Sequence, residues 1–515
     1  MDEDRAQALS FVEQVRAENR AFYATDLGQA ALKDLQQTFP HRWLYVGELL
    51  QNAVDAGAKH IHLKAIPEGL VLEHDGTPFQ PEHVRALCAR GLSTKGAGTV
   101  GFMGIGFKAV FQSFERAAIS SGAWRFGFHV KEETGEYGER LRDWLGCVIP
   151  LDVDAGNPSP GMQCRFVLTD RLSRLGRVHD DVANVLSPDL VVLALLAQRG
   201  VQELSWNGQR WILSQANHRV DEHTIRLLLG AKDAETQEVR QWVLFSATYQ
   251  PSREAIARFL EHRQKRPSPD VYAEAARERS VDVFCPLDAN GVPLPPKRGH
   301  AYALLATGVS VPIGLHVQAD WLLNTSRREL MDVETSAWHQ EILGRLSGLL
   351  RSYVSWVARL GVPDDRLSTA YAVLPSWSDV DGAFGSYVQG DAFRDELRRA
   401  LADLPFLPVR TSRGTMFATP GDARLLPEAL RGLDSARMLP WVLFGEHSIS
   451  TKILGDATLG SLEPLGLLQR LTPDELVAHW DTGVLGEWRE GLGDAATESH
   501  LQLLRALASL DSVAS

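Results

Sequence analysis

The sequence predicts an α+β protein built of several domains. Helical spacing of apolar residues runs to residue 56, and alternating or continuous apolar runs recur from 60 to 73 and from 117 to 169. Helical patterns return towards the C-terminus. With 515 residues, 44% of them hydrophobic, the chain is too long for one core. At roughly 100–200 residues per domain, about three are expected.

Residues 1–40 read as mostly helical, with Phe11 and Val15 among the apolar positions. From Arg42 to Ala56 there is no proline, and glycine occurs only at 47. Leu49, Ala53 and Ala56 recur at helical spacing, and Glu48, Asn52 and Asp55 do so one step round. One face is therefore apolar, and the next carries a carboxylate, an amide and a second carboxylate. A solvated polar face accounts for that pattern equally well. Gly57 marks the helix stop.

His60–Ile66 and Leu70–Glu73 then read as a strand pair around Pro67-Glu-Gly69. The second strand leads into Asp75-Gly76. A carboxylate there can accept from an exocyclic amine, and glycine leaves room for a flat ring, although Asp-Gly is also an ordinary turn. Glycines follow at 91, 96, 98, 101, 104 and 106, ahead of a helical pattern at Phe107, Val110, Phe111 and Phe114. Such a segment is a phosphate cradle or simply a flexible loop. It lacks the Gly-Lys-[Ser/Thr] ending of a P-loop and the strand–glycine–helix frame of a dinucleotide fingerprint. Strands are expected at Ala117–Ser120, Trp124–Val130, Leu145–Ile149 and Cys164–Leu168. A helix from Val182 to Ala197, broken at Pro188, and a hairpin at Trp206-Asn207-Gly208 complete this part.

Glu48-Leu-Leu-Gln-Asn-Ala-Val-Asp-Ala-Gly-Ala58, Gly104-Ile-Gly-Phe-Lys-Ala-Val-Phe111 and Ile119-Ser-Ser-Gly122, in this order, resemble the Bergerat-type ATPase fold. That superfamily (GHKL) holds Hsp90, MutL, type II topoisomerases and sensor kinases, and the likeness is nearest to sacsin-type, Hsp90-like ATP-binding domains. The resemblance implies a sandwich of helices on a mixed sheet that binds ATP with Mg²⁺ and hydrolyses it slowly. In it Asn52 would hold the metal, Glu48 would be the general base, Asp75 with Gly76 would meet the adenine, and Asp55 would support the pocket. Ser93, Thr94 and Lys95 would lie on a lid. Gly101, Gly104, Ile105, Gly106 and Phe107 would wrap the phosphates, which Lys108 could approach. Glu48 separates the chain from sensor kinases, which usually lack a carboxylate there. One departure is Met162, where relatives have a threonine that holds adenine through water. One lost neutral hydrogen bond amounts to about 0.5–1.5 kcal/mol.

A second domain is expected from about 218, with strands at Trp242–Ser246, Val281–Cys285 and Ala301–Leu305. Arg263, Lys265 and Arg266 read as a solvated helix end. The stretch Trp321-Leu-Leu-Asn-Thr-Ser-Arg-Arg-Glu-Leu330 resembles the Hsp90-like middle domain, where a Leu-Asn-x-Ser-Arg motif sends an arginine towards the γ-phosphate. Here that is Arg327, with Arg328 beside it as the other choice. The resulting division is a helical segment at 1–40, an ATP-binding domain at 41–217, a middle domain at 218–360 and a mainly helical region at 361–515. In the last, Asp391–Leu404 is an amphipathic helix and Phe406–Met416 a hairpin.

The formal charge of −12 and pI of about 5.8 argue against nucleic acid as a general partner. Cysteines 88, 147, 164 and 285 have no metal or redox spacing, as in a reducing compartment. The start, Met1-Asp-Glu-Asp-Arg5, has no leader-like apolar run, and no run reaches the ~18 residues of a membrane span. A cytoplasmic machine acting on a protein partner or client is the expectation, and the family likeness allows a homodimer. It also allows chaperone-like work, antiviral defence, an ATP-gated scaffold with little turnover, or DNA handling in the manner of MutL or MORC.

Overall fold

The computed structural model describes residues 3–37, 43–88, 106–130, 145–170, 175–187, 189–218, 223–231, 238–262, 272–273, 275–323, 330, 336–377, 390–411, 414–426 and 448–472. It is α+β. One mixed sheet of thirteen strands runs through most of the chain, in the order β12-β11-β13-β10-β9-β8-β7-β6-β1-β2-β5-β3-β4.

The N-terminal part opens with helices α1 (Glu3–Tyr23), α2 (Asp26–Gln37) and α3 (Leu44–Asp55). Strands β1 (His60–Ile66) and β2 (Gly69–His74) pair antiparallel, and helix α4 (Pro81–Cys88) follows. Next come β3 (Arg116–Ser121), β4 (Trp124–His129) and β5 (Cys164–Thr169), with β5 between β2 and β3. Helix α5 (Leu175–Leu186) and α6 (Leu190–Leu193), extended by a π turn at Ala194–Gln198, lead to β6 (Glu203–Trp206), which pairs parallel with β1. The hairpin to β7 (Gln209–His218) turns at Asn207 and Gly208, with φ of 49° and 88°. Two positive φ values make the tight turn that the Asn-Gly pair predicts.

Strands β8 (His223–Ala231), β9 (Glu238–Tyr249), β10 (Arg279–Leu287), β11 (Gly299–Ala303), β12 (Leu305–Val311) and β13 (His316–Ala319) extend the sheet beyond β7, with α7 (Arg253–His262) between β9 and β10. Antiparallel pairing from β7 through β8 to β9 carries the sheet past residue 218 without a break. Helices at Ala337–Leu343, Leu346–Leu360, Asp364–Ala370 and Gly390–Leu401 cover this half. The hairpin of β14 (Leu407–Thr411) and β15 (Gly414–Ala418) and the helices at Thr451–Leu454 and Asp456–Leu462 complete the described part.

Two buried apolar clusters form, and they meet at the sheet. Trp242, Leu244, Phe284 and Tyr302 belong to the first. Val243, Phe245, Val283, Cys285 and Ala301, which alternate with them, belong to the second. Successive strand side chains point to opposite faces, so β9, β10 and β11 are one wall with a core on each side.

Three local expectations change. Leu145–Ile149 is not a strand: Leu145–Cys147 is a 3-10 turn, and the apolar run marks burial of Cys147, Val148 and Ile149. The helix after the glycine-rich segment is 3-10 along its whole length, Gly106–Gln112. Ala301–Leu305 is a strand end, a kink at Leu304 and the start of β12 rather than one strand.

Candidate functional site

Helix α3 is the spine of the site. Leu44, Tyr45, Val46, Leu49, Leu50 and Ala53 anchor it in the first core. It ends where the glycine predicts. Gly57 has φ of 75°, its N–H donates to the Val54 carbonyl at 2.8 Å, and the Ala58 N–H reaches the Ala53 carbonyl at 3.0 Å. That is a Schellman cap, and it meets two of the carbonyls a helix end leaves without partners.

Glu48, Asn52 and Asp55 lie along one side of this spine. Glu48 is only 5% exposed, whereas Asn52 and Asp55 are half-buried. The Glu48 carboxylate rests on the backbone of Gly106, the first residue of the 3-10 helix. A Cβ placed on Gly106 would fall 1.8 Å from Glu48 Oε2 and 2.6 Å from its Cδ. No other residue type leaves that space. Phe107, the next residue, packs its ring 6.1 Å from Phe111 and Phe128 and 6.2 Å from Phe166. This aromatic packing fixes where the 3-10 helix begins, and with it where Gly106 meets Glu48.

The Asp75–Thr77 turn closes onto the other end of α3. Thr77 N–H donates to the Ala56 carbonyl at 2.8 Å. A Cβ on Gly76 would sit 2.8 Å from that same oxygen and 3.0 Å from His74 Nδ1. Asp75 itself looks towards the start of β1. Its Oδ1 accepts from Lys59 N–H at 2.7 Å and His60 N–H at 2.9 Å, and its Oδ2 lies 2.7 Å from His60 Nδ1. Burial pushes this carboxyl up, but the His60 N–H and ring and the Lys59 N–H outweigh it and hold it below the usual carboxylate value. An ionised carboxylate has about four lone-pair directions, so three donors leave one for a ligand amine. Beneath the turn, His74 is buried and stacks on Phe166 at 5.9 Å; burial brings its pKa down to about 4, so the ring is neutral. Its Nδ1 accepts from Gly76 N–H at 3.1 Å.

Lys108 lies in the core, not along the polar side of α3. Its ammonium donates to the carbonyls of Leu87 and Cys147 and sits 4.6 Å from the centre of the Phe128 ring. Burial drives its pKa down. It ties the end of α4 and the segment after residue 145 to the 3-10 helix, a role no spacing in the sequence reveals. Met162 is half-buried before β5, and the adjoining Gln163 N–H donates to the His74 carbonyl at 2.9 Å.

Ser93, Thr94, Lys95, Gly101, Gly104 and Ile105 lie outside the described residues, as do Arg327 and Arg328. Leu323 and Leu330, on either side of those two arginines in the chain, form an isolated antiparallel bridge. Asp320, just after β13, is ion-paired. Arg279 donates to its Oδ2 at 2.7 Å, and Arg199, from the end of the π turn, lies 3.5 Å from its Oδ1. Burial would raise the Asp320 carboxyl, but these guanidiniums keep it low. Arg279, with its side chain 2% exposed, lies beside the packed pair of rings Phe259 and Trp338, at 5.5 and 5.4 Å from their centres. A cavity of about 110 Å³ opens here, lined by Arg199, Arg277, Arg279, Asp282, Gln318 and Asp320. Sequence reasoning missed it, because its residues come from three separate stretches of chain.

Among the described residues no group of three or more His, Cys, Asp or Glu side chains gathers as a metal site, and no helix is long and apolar enough to cross a membrane. No protein-family model matches the chain. Protein NO VEIN of Arabidopsis thaliana is similar to it, with 35% identity over 136 residues. Those residues are 25% of this chain and 5% of that protein, so the match covers a small fraction of the relative's length.

Proposed function

We propose that the chain binds ATP with Mg²⁺ at the α3 site and hydrolyses it slowly, as an Hsp90-like member of the GHKL superfamily acting on a protein partner. The observation that carries this reading is the seating of Glu48 on Gly106, with Asn52 and Asp55 further along the same helix. It brings a buried carboxylate to the end of the glycine-rich segment, where phosphates are expected.

In this reading Glu48 orients a water and takes its proton, the task of a general base held within one water of the reacting phosphorus. Asn52 offers a neutral side-chain oxygen to the metal, which neutralises phosphate charge when bound. Gly106 leaves room for the Glu48 carboxylate, and Gly76 lets the turn after Asp75 close on the end of α3. Asp75 receives an exocyclic amine on its remaining lone pair. Arg327 or Arg328 supplies guanidinium charge. Phosphoryl transfer needs positioning and charge more than covalent chemistry, so this set is sufficient in kind.

A second reading, an ATP-gated scaffold with little turnover, draws on two observations. Met162 stands where relatives have a threonine, and Asp75 already serves three donors of its own chain.

The test is ATP binding and steady-state hydrolysis for the wild type and Glu48→Ala. The proposal expects slow wild-type turnover that Glu48→Ala lowers by about 10²-fold or more, the usual scale of general-base catalysis, with nucleotide affinity retained. Binding without turnover in the wild type favours the scaffold. A wild type that binds no adenine nucleotide sinks both readings.

A further inference from the structure

Helix α3 has a notch one residue before Glu48, and another part of the chain fills it. A Cβ on Gly47 would fall 2.3 Å from Cδ1 of Leu305, 2.7 Å from its Cδ2 and 3.0 Å from its Cγ. Leu305 is 4% exposed and opens β12. The residue before it, Leu304, is fully buried with φ of 66°, a left-handed conformation that a leucine keeps only when its surroundings impose it. Part of that imposition is visible, since Leu304 N–H donates to Gln318 Oε1 at 3.0 Å. Gln318 lies on β13, two residues before the ion-paired Asp320. The strained turn thus touches the helix of Glu48 on one side and Gln318 of β13 on the other. Glycine inside a helix is unfavourable relative to alanine, and the room that Leu305 takes explains why position 47 carries one.

We propose that Leu305 is a positioning residue for Glu48: the turn at Leu304–Leu305 wedges into the Gly47 notch and sets the height and rotation of α3 that seat the Glu48 carboxylate on Gly106. The proposal rests on the reading of Glu48 as the water-activating group.

A double-mutant cycle tests it: Gly47→Ala, Leu305→Ala and the pair together, each assayed for kcat, nucleotide Kd and thermal midpoint. Each single change should lower kcat by about tenfold or more while Kd stays within about threefold, because a shift near 1 Å harms catalysis far more than binding. The double variant should regain most of the lost kcat, since the new methyl occupies room that the shortened side chain vacates. If Leu305→Ala does not fold, Leu305→Val carries the same cycle. A helix packed without this constraint would be stabilised by Gly47→Ala and keep its kcat. That result, or kcat losses that multiply in the double variant, overturns the proposal. A wild type without ATP turnover is a different failure, visible before any variant is made, and it removes the reading of Glu48 on which the proposal stands.

Discussion

Asp75 serves the fold whatever it does for a ligand. Its carboxylate holds the start of β1 through two backbone N–H groups and the His60 ring. The sequence pointed to Asp75 as a carboxylate behind a strand, but not to these partners, because Lys59 and His60 lie sixteen and fifteen residues away and meet it only once β1 and β2 pair. Asp75→Asn keeps one oxygen for the N–H groups and loses the charge, which should lower stability by about 1–2 kcal/mol at pH 7. The folded carboxyl titrates below its ordinary value of 3.8, so its contribution is complete above that value and fades as pH falls through the lower folded pKa. Urea unfolding between pH 7 and pH 2 should therefore show the variant and wild type converging at the acid end. A constant gap across that range would mean that the charge is not what Asp75 contributes.

At the scale of elements, α3 was the most legible part of the chain and the 3-10 helix the least. The apolar spacing of Leu49 and Ala53, the missing proline and the terminal Gly57 are local signals, and helix, polar side and cap all follow from them. Gly57 gives a clean measure of the cap, because no atom lies within 4 Å of the position its Cβ would take. Gly57→Ala should cost about 1–2 kcal/mol through the left-handed backbone alone, read as a lower urea midpoint with an unchanged slope. No loss would show that the chain leaves α3 by another route. The 3-10 helix was read only as apolar spacing, since Phe107, Phe111 and Phe128 meet through the sheet and Lys108 finds its carbonyls across two other segments. The Leu304 kink was invisible for the same reason: its cause, Gln318, is fourteen residues on.

For the whole molecule, the shared wall of β9, β10 and β11 decides how the chain comes apart. Phe284 faces one core and Phe245 the other, from adjacent strands of one sheet. A cavity in either core loosens the strands that the other core also needs. Phe284→Ala and Phe245→Ala should each cost about 3–5 kcal/mol. Each should also move a single unfolding transition, seen alike by tryptophan fluorescence and circular dichroism, rather than split it in two. Separate transitions, only one of them responding to each substitution, would mean that the halves melt independently. The same wall bears on how the protein can be divided for study. A cut near residue 218, where a reader of the sequence would place a domain boundary, would take Leu244, Phe284, Tyr302 and Leu305 away from the first core and leave β7 without β8. The N-terminal fragment would then carry a bare apolar face beside an open strand edge, the combination that drives aggregation. A fragment that keeps this wall whole has to run through β13, which pairs with both β10 and β11.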